Sequence, residues 1–155
     1  ATIYSSLPTV ADMRTGAYAP GAIETGMLFM GVAQMARFYG GLLGWEPTAV
    51  EPDWVLMRHP QGGTGLSFQQ TEGYERPTWP EEPGRQQKMI HLDLHVTRPE
   101  SDGGGSYSEA EGQAALEAVV GLAQSLGGTL ADPQTRTDLR VVLDPAGHPL
   151  CLFLL

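Results

Sequence analysis

An internal repeat restricts the fold of this chain more than any other feature of its sequence. The segments "DWVLMRHPQGGTGLSF" (53–68) and "DLRVVLDPAGHPLCLF" (138–153) align without a gap, so that Asp53 falls on Asp138. One proline, one glycine and the final phenylalanine of the two segments also coincide. Each copy reads as a strand, a Pro-x-Gly turn and a second strand, which is the pattern of a β-hairpin. The sequence therefore predicts two copies of one module.

The similarity continues upstream of both hairpins. The segments "FYGGLLGWEP" and "VGLAQSLGGTL" each end a helical pattern at Leu-Gly, a common helix stop, and lead into the next strand. Both modules are thus predicted to have the order βαβββ. The first is predicted as a strand near 24–31, a helix near 32–43 and strands near 45–50, 53–59 and 64–70. The second is predicted as a strand at 89–97, a helix at about 108–126 and strands near 128–132, 138–143 and 149–155.

These elements predict an α+β chain with one structural domain. Its parts are an N-terminal extension (1–23), a first module (24–70), a Pro-rich connector (71–88) and a second module (89–155). The second helix carries a predicted apolar stripe of Ala115, Val119, Leu122 and Leu126. Such a stripe packs on one face of a sheet, which leaves the opposite face free to line a cavity.

The connector contains "TEGYERPTWPEEPGRQQ", whose three prolines prevent a regular element. Two interpretations of its aromatic residues, Tyr74 and Trp79, are open. They either cover the edge of a sheet or close over a bound ligand, since aromatic side chains give a large contact area for few rotatable bonds.

The stretch "MIHLDLHV" (89–96) alternates polar and apolar residues. Alternate side chains of a strand point to opposite faces, so His91, Asp93 and His95 share one face while the apolar residues, beginning with Ile90, share the core face. Residues two apart are about 6.7 Å apart and residues four apart about twice that, so one ion can bridge His91 and Asp93 but not His91 and His95. We interpret the polar face as the lining of a ligand pocket.

Composition excludes several classes of function. The formal net charge of −9 repels phosphate backbones and disfavours nucleic acid, while it permits a cationic ligand. No apolar run approaches the roughly 18 residues of a membrane span and the first residues lack a signal-peptide pattern, so a cytoplasmic protein is expected. The single cysteine, Cys151, rules out an intrachain disulfide, and its apolar strand is more typical of a buried hydrophobe than of a reactive thiol.

The motifs "ARFYGGLLGWEP", "PTWP", "HLDLHV" and "DPAGHPLCLF", in this order, resemble the vicinal oxygen chelate superfamily. The resemblance covers roughly residues 24–155 and is closest to the glyoxalase-like and bleomycin-resistance-like branch. It implies the glyoxalase/bleomycin resistance/dioxygenase fold, in which tandem βαβββ modules form a curved mixed sheet around a cavity. Because the superfamily includes both metal-dependent enzymes and non-catalytic drug-binding proteins, the resemblance leaves the activity open. Related proteins commonly form dimers, which implies a homodimer.

The resemblance also implies where a metal would lie. Carried over position by position, the ligand positions of the metal-dependent members fall on Glu24, Leu66, His91 and Cys151. Leu66 has no donor atom, and a cysteine stands where oxygen-seeking ions prefer a carboxylate. No metal cofactor is therefore expected, and Glu24 and His91 are the expected ligands if a divalent metal is bound.

Strand parity and the resemblance together predict an aromatic pocket with a few polar groups. Its predicted ligand-binding residues are Trp45, Trp54, Leu66, Phe68, Trp79, His91, Asp93, His95, Cys151 and Phe153. This lining is typical of a site for an aromatic or cationic organic molecule. The first hypothesis is a binding protein that sequesters an antibiotic or toxic aromatic metabolite without metal or turnover. The alternatives are a metal-dependent lyase, isomerase or dioxygenase, and a scaffold whose cavity is filled by its own side chains.

Overall fold

The computed structural model describes residues 30–98 and 105–154, and these residues fall into two compact units that divide between Tyr74 and Glu75. The first unit consists of α1 (Met30–Leu43), β1 (Pro47–Glu51), β2 (Trp54–Arg58) and β3 (Gly65–Gln69). The second unit consists of β4 (Leu92–His95), α2 (Glu109–Ser125), β5 (Thr129–Leu130), β6 (Leu139–Leu143) and β7 (Pro149–Phe153). The predicted α+β class is confirmed.

The first unit is an antiparallel sheet with the order β1-β2-β3 and one helix. Its core joins Val32 and Ala36 of α1 to Val55 and Met57 of β2. Val55 and Met57 are two residues apart and so point to the same face of the sheet. The strand predicted near 24–31 is wrong at its C-terminal end, because residues 30 and 31 begin α1. The rest of that predicted strand and the extension at 1–23 lie outside the described residues.

The second unit has the strand order β4-β7-β6-β5. The first strand, β4, runs parallel to the last strand, β7, and the other pairs are antiparallel. A parallel pair needs a crossover, and α2 lies in the connection that follows β4. The predicted order β-α-β-β-β is therefore present from residue 92 onward. In the described ranges no helix has both the length and the apolar character needed to cross a membrane.

The turn of the first hairpin is one residue longer than the turn of the second, and the gap-free alignment does not show this difference. β2 and β6 correspond at a constant offset, but six residues (59–64) separate the pair Arg58–Gly65 and five (144–148) separate the pair Leu143–Pro149. A slip of one residue moves a side chain to the opposite face of its strand. A residue of β3 therefore points to the opposite face of its sheet from the β7 residue with which it aligns.

The buried stripe of α2 is displaced by one residue from the predicted one. Its buried residues are Gly112, Leu116, Val120 and Ala123. Leu122, which belongs to the predicted stripe, is 41% exposed, whereas Leu126 is buried as predicted. Both stripes have helical spacing, but a Cβ on Gly112 would lie only 3.0 Å from Cδ1 of Leu154. Close packing of the helix on the sheet selects the stripe that contains this glycine.

A capping box begins α2, as the Ser-x-x-Glu spacing indicates. The Ser108 hydroxyl accepts a hydrogen bond from the Glu111 backbone N–H at 3.4 Å, and the Ser108 backbone N–H donates to the Glu111 carboxylate at 2.9 Å. The Ser108 side chain, the Ser108 backbone and Arg98 together lower the pKa of Glu111 below its ordinary value of 4.5. Glu111 is therefore ionised at neutral pH and the box is intact there.

We expect Ser108→Ala to lower the free energy of unfolding by about 1 kcal/mol, because one backbone N–H loses its cap. Ser106→Ala, which changes an exposed serine ahead of the helix, is the matched control. A lowered folded pKa stabilises the protein above the unfolded pKa, and this stability is lost as pH falls through the folded value. The effect of Ser108→Ala, measured by urea unfolding, should thus be present at pH 7 and shrink below about pH 4.5.

Candidate functional site on the second sheet

The face of the second sheet that points away from α2 carries the candidate site. Arg140 of β6 pairs with Glu117 of α2 at 2.6 Å, so Arg140 points to the helix. The next residue, Val141, must then point to the other face, and its cross-strand partner is Cys151 of β7. Cys151 therefore lies on the helix-free face, as the strand parity of the sequence predicts.

Three side chains with metal-binding or acid–base chemistry meet on this face. The parallel pairing of β4 and β7 places Asp93 beside Cys151, and His91 lies two residues earlier, directly before β4. His91 Nε2 is 3.0 Å from Cys151 Sγ and 3.2 Å from Asp93 Oδ1. One donor atom from each residue lies within 4.8 Å of the others. We call these three residues the His91 cluster.

The start of β4 explains why the predicted strand was too long. β4 covers Leu92–His95, so residues 89–91 precede it. Ile90, predicted on the core face, is 48% exposed and Met89 is 85% exposed. The apolar alternation of the sequence continues beyond the residues that pair with β7, and unpaired residues are not held in the pleat. The core prediction for Ile90 is wrong.

The geometry of the His91 cluster differs from that of a cysteine nucleophile. In a Cys-His-Asp triad, one imidazole nitrogen takes the thiol proton and the carboxylate holds the other nitrogen. Here both Cys151 and Asp93 approach the same nitrogen, Nε2 of His91. Asp93 thus competes with the thiol for that nitrogen and does not orient the ring for proton transfer.

The thiol of Cys151 is held in its protonated form. Burial is the largest cause and raises the pKa of the thiol, because a buried thiolate would lose its hydration. The nearby Asp93 carboxylate raises the pKa further. Arg136 acts in the opposite direction. Its guanidinium forms two hydrogen bonds with the Asp138 carboxylate, at 2.8 and 2.5 Å, so that carboxylate offsets part of its charge. A buried, protonated cysteine is a weak nucleophile.

Alkylation of Cys151 by iodoacetamide is expected to have a pH midpoint above that of an ordinary cysteine. Asp93→Asn should lower this midpoint, because it removes a negative charge, and Arg136→Gln should raise it. The chain has a single cysteine, so mass spectrometry follows the reaction without ambiguity. The midpoint, unlike the rate, is independent of how accessible the sulfur is. A midpoint that is equal in all three proteins would contradict this electrostatic account.

Aromatic side chains border the same face. Trp79 of the connector packs against the cluster formed by Ala131, Val141 and Cys151. Phe153 lies next to His95, with ring centroids 4.0 Å apart in an edge-on arrangement. The Trp79 side chain thus packs against the helix-free face of the second sheet, and its closure over a bound ligand remains a prediction.

The remaining predicted pocket residues belong to the first unit. Phe68 packs on the α1-facing core and its ring stacks on Tyr39 with centroids 5.3 Å apart. Leu66 pairs with the buried Met57 and so points to the same helix-facing side. The predicted helix-free face for Leu66 and Phe68 is wrong, because of the longer turn of the first hairpin. Trp45 also packs against this core.

The last two predicted residues are Trp54 and Glu24. Trp54 neighbours Val55 in β2 and points to the face opposite the α1 core. Glu24, the other ligand expected for a metal, lies outside the described residues.

A separate cavity of about 270 Å³ lies beside the start of α2, between Tyr107, Gly112 and Leu154, and none of the His91 cluster lines it.

Sequence reasoning missed the direct contact between His91 and Cys151, which are 60 residues apart. The missing step was the pairing of the strands, since the first and last strands of a βαβββ module become neighbours only when the crossover is parallel. The contribution of Arg136 was missed because it comes from the loop before β6. Its one sequence signal is the Arg-x-Asp spacing with Asp138.

The donors at the positions implied for a metal do not fit a hard ion such as Mg²⁺. Hard cations take six or more oxygen ligands. Leu66 has no donor atom and points to the helix-facing side of the first sheet, whereas Cys151 offers sulfur. Beside its one carboxylate the His91 cluster offers a thiol sulfur and an imidazole nitrogen, which are softer donors than such an ion prefers.

Comparison with known proteins assigns the family. The sequence profile of the Glyoxalase-like domain matches residues 29–153, which is most of the chain. The chain belongs to this family. The resemblance to the vicinal oxygen chelate superfamily and the predicted fold class are thereby confirmed. None of the curated proteins matches the sequence.

Three solved structures similar to this glyoxalase-like chain are distant from it in sequence. A glyoxalase-related enzyme from Fulvimarina pelagi is 21% identical over 77% of both chains, with a TM-score of 0.47. A glyoxalase/bleomycin resistance protein/dioxygenase family enzyme from Burkholderia phytofirmans PsJN is 16% identical over 78% of this chain and 87% of its own, with a TM-score of 0.49. Protein ATC0852 from Agrobacterium tumefaciens is 15% identical over 80% and 88%, with a TM-score of 0.50.

Proposed function

We propose that this glyoxalase-like protein binds a small organic molecule on the helix-free face of the second sheet and sequesters it without turnover. The observation that carries the proposal is the combination on one face of three converging polar side chains and an aromatic border. The polar groups are the His91 cluster, and the border is formed by Trp79 and Phe153. Apolar surface with a few convergent polar groups is typical of small-molecule sites.

The charge on this face favours an aromatic or cationic ligand. The Asp93 side chain is 67% exposed, so its carboxylate is available to a ligand in addition to His91. The Lys88 ammonium lies 5.1 Å from the centroid of the Trp79 ring, so this ring already has a cationic partner within the chain. A toxic aromatic metabolite or an antibiotic with a basic group matches the exposed carboxylate and the aromatic border. We propose no bound metal for this function.

Sequestration rather than chemistry is supported by the state of the thiol. Cys151 has a raised pKa, and His91 shares one nitrogen between the thiol and Asp93. Neither arrangement activates a nucleophile. The homodimer and the cytoplasmic location expected from the sequence remain predictions.

A fluorescence titration of chelator-treated protein with aromatic and cationic natural products tests the proposal. We expect saturable quenching with one molecule bound per chain, and recovery of the ligand unchanged. Asp93→Asn should weaken binding of cationic ligands by about tenfold, the equivalent of one charge-assisted hydrogen bond. Trp79→Phe should remove most of the quenching, whereas Trp54→Phe, in the first unit, should retain it. A chemically altered ligand would exclude sequestration.

The second candidate is a metal-dependent lyase, isomerase or dioxygenase. The three donors of the His91 cluster favour it, because they lie within 4.8 Å of one another. When bound, a metal would polarise an oxygen of the substrate or lower the pKa of a water. Metal analysis and turnover assays on His91→Ala test this candidate. It is excluded if the substitution leaves both metal content and activity unchanged.

A further inference from the structure

We propose that Lys88 is a specificity-determining residue of the ligand site, and that it favours aromatic ligands whose positive charge lies outside the ring. This role rests on the proposed function, because Lys88 acts at the same face of the second sheet. Lys88 belongs neither to the His91 cluster nor to the aromatic border of that face. All of these residues lie in the second unit.

The Trp79 ring at the border of this face is already occupied by a cation of the chain itself. The Lys88 ammonium lies over the ring, 5.1 Å from its centroid, where the electron-rich face of an indole attracts a positive charge. The same ammonium forms an ion pair with the Glu81 carboxylate. Only 29% of the Lys88 side chain is exposed. Lys88 therefore takes the interaction that a cationic ligand would otherwise gain from this ring.

The fold of the connector keeps the ammonium at this place. The Thr78 backbone N–H donates to the Gln86 carbonyl oxygen at 3.1 Å, which brings the two ends of this segment side by side. The ion pair of Lys88 with Glu81 links the same two parts of the segment through their side chains. Trp79 in turn packs against the helix-free face. The ring and its cation are thus held together at the border of the candidate site.

Opposite charges consequently lie at two different places on this face. Strand pairing sets Asp93 beside Cys151, and the Asp93 side chain is 67% exposed. Lys88 lies instead over the Trp79 ring. Complementary charges favour binding and like charges brought together oppose it. A basic group of a ligand is therefore attracted to Asp93 and repelled at Trp79.

Glu81 weakens this repulsion without making the ring available to a second cation. The Glu81 side chain is 41% exposed, and exposed ion pairs are partly screened by water. Even when its charge is compensated, the Lys88 ammonium still fills the space over the Trp79 ring. Lys88 therefore discriminates by occupying the position as well as by its charge.

These positions define the class of ligand. A neutral aromatic ring packs on the edge or the open surface of Trp79 without needing a charge. A separate ammonium on a short chain reaches a carboxylate, where it forms a charge-assisted hydrogen bond. A ring that carries the positive charge itself meets Lys88 and has no N–H to donate to Asp93. The site thus favours arylalkylamines over aromatic ring cations.

The test compares two bicyclic probes of similar size by calorimetric titration of full-length, chelator-treated protein. Naphthylethylamine has a neutral ring and a separate ammonium, whereas N-methylquinolinium carries its charge in the ring. The readout is the dissociation constant of N-methylquinolinium divided by that of naphthylethylamine. A cation–π contact at an exposed site corresponds to about two- to fivefold in affinity, so we expect a ratio above about five for wild type.

Substitutions in the connector assign the ratio to one charge. Lys88→Met keeps the length of the side chain and opens the ring to a cation, so the ratio should fall by about fivefold. Lys88→Arg retains the charge and should stay within about twofold of wild type. Glu81→Gln leaves the ammonium without its carboxylate and should raise the ratio. Arg85→Met removes the same charge from an exposed residue of the connector and, as the matched control, should leave the ratio unchanged.

The outcomes separate the role of Lys88 from the proposed function. If wild type and Lys88→Met both bind naphthylethylamine with the same ratio of dissociation constants, Lys88 does not determine specificity and the proposed function stands. A wild type that prefers N-methylquinolinium overturns the role of Lys88 in the same way. Absence of binding of both probes to every one of these proteins counts against the ligand site itself and thus against both proposals.

Discussion

Leu150→Ala is expected to lower the free energy of unfolding by about 3 kcal/mol, the largest effect that we predict for a single substitution. Leu150 is fully buried in β7, where its strand partners are Leu92 and Val142. Removing a buried leucine side chain loses its transfer free energy and leaves a cavity, at a total cost of about 2–5 kcal/mol. Both neighbouring strands hold the backbone of β7, so the site cannot collapse to fill that cavity.

The matched control is Leu122→Ala in α2, where the leucine is 41% exposed. Little packing is lost there, so the free energy of unfolding should change by less than about 0.5 kcal/mol. Urea unfolding followed by circular dichroism measures both variants. With an m-value of about 2 kcal/mol/M, Leu150→Ala should lower the urea midpoint by about 1.5 M. Equal midpoints for the two variants would mean that β7 is not packed as described.

Gly65→Ala is expected to destabilise the first unit by about 2 kcal/mol, the second largest effect. A Cβ at position 65 would lie 2.5 Å from the backbone carbonyl oxygen of Met57 on β2. The clash is with backbone in a paired strand, so no side-chain rotation relieves it. Overpacking of this kind costs about 1–3 kcal/mol, because strands have to shift.

Gly121→Ala in α2 is the contrasting variant. Nothing lies within 4 Å of a Cβ at this position, and the residue is exposed in the helix. Alanine favours a helix over glycine by about 1 kcal/mol, so this variant should be more stable than wild type. Opposite signs for the two Gly→Ala changes, measured by urea unfolding, would confirm the close approach at Gly65. A stabilised Gly65→Ala would show that β2 and β3 are farther apart.

The Leu150→Ala substitution lies next to Cys151 of the candidate site, so its effect on that thiol can be measured as well. Leu150 and Cys151 are neighbours in β7, but they point to opposite faces of the sheet. Leu150→Ala should therefore lower stability while the pH midpoint of Cys151 alkylation stays unchanged. A shift in that midpoint would indicate that the substitution also moves the strand that carries the candidate site.

The secondary structure of the hairpins could be predicted because local signals agree there. The Pro-x-Gly turns and the alternating apolar residues place β2 and β6 at equivalent positions in the repeat. The Ser108 cap likewise marks the start of α2 within one residue. Local signals do not show how many residues form a turn, and so they do not show which residues pair across a hairpin. The extra residue in the first turn therefore reversed the predicted face of Leu66 and Phe68.

Sequence alone determined the α+β class, the family and the polar face of "HLDLHV", because periodicity and turn residues are properties of neighbouring positions. Only the tertiary structure decided that His91 contacts Cys151, since that contact depends on the parallel pairing of β4 with β7. It also decided that the buried stripe of α2 contains Gly112, since two stripes had suitable spacing and the approach to Leu154 distinguishes them. Packing between segments distant in the chain creates these contacts, and no local pattern encodes them.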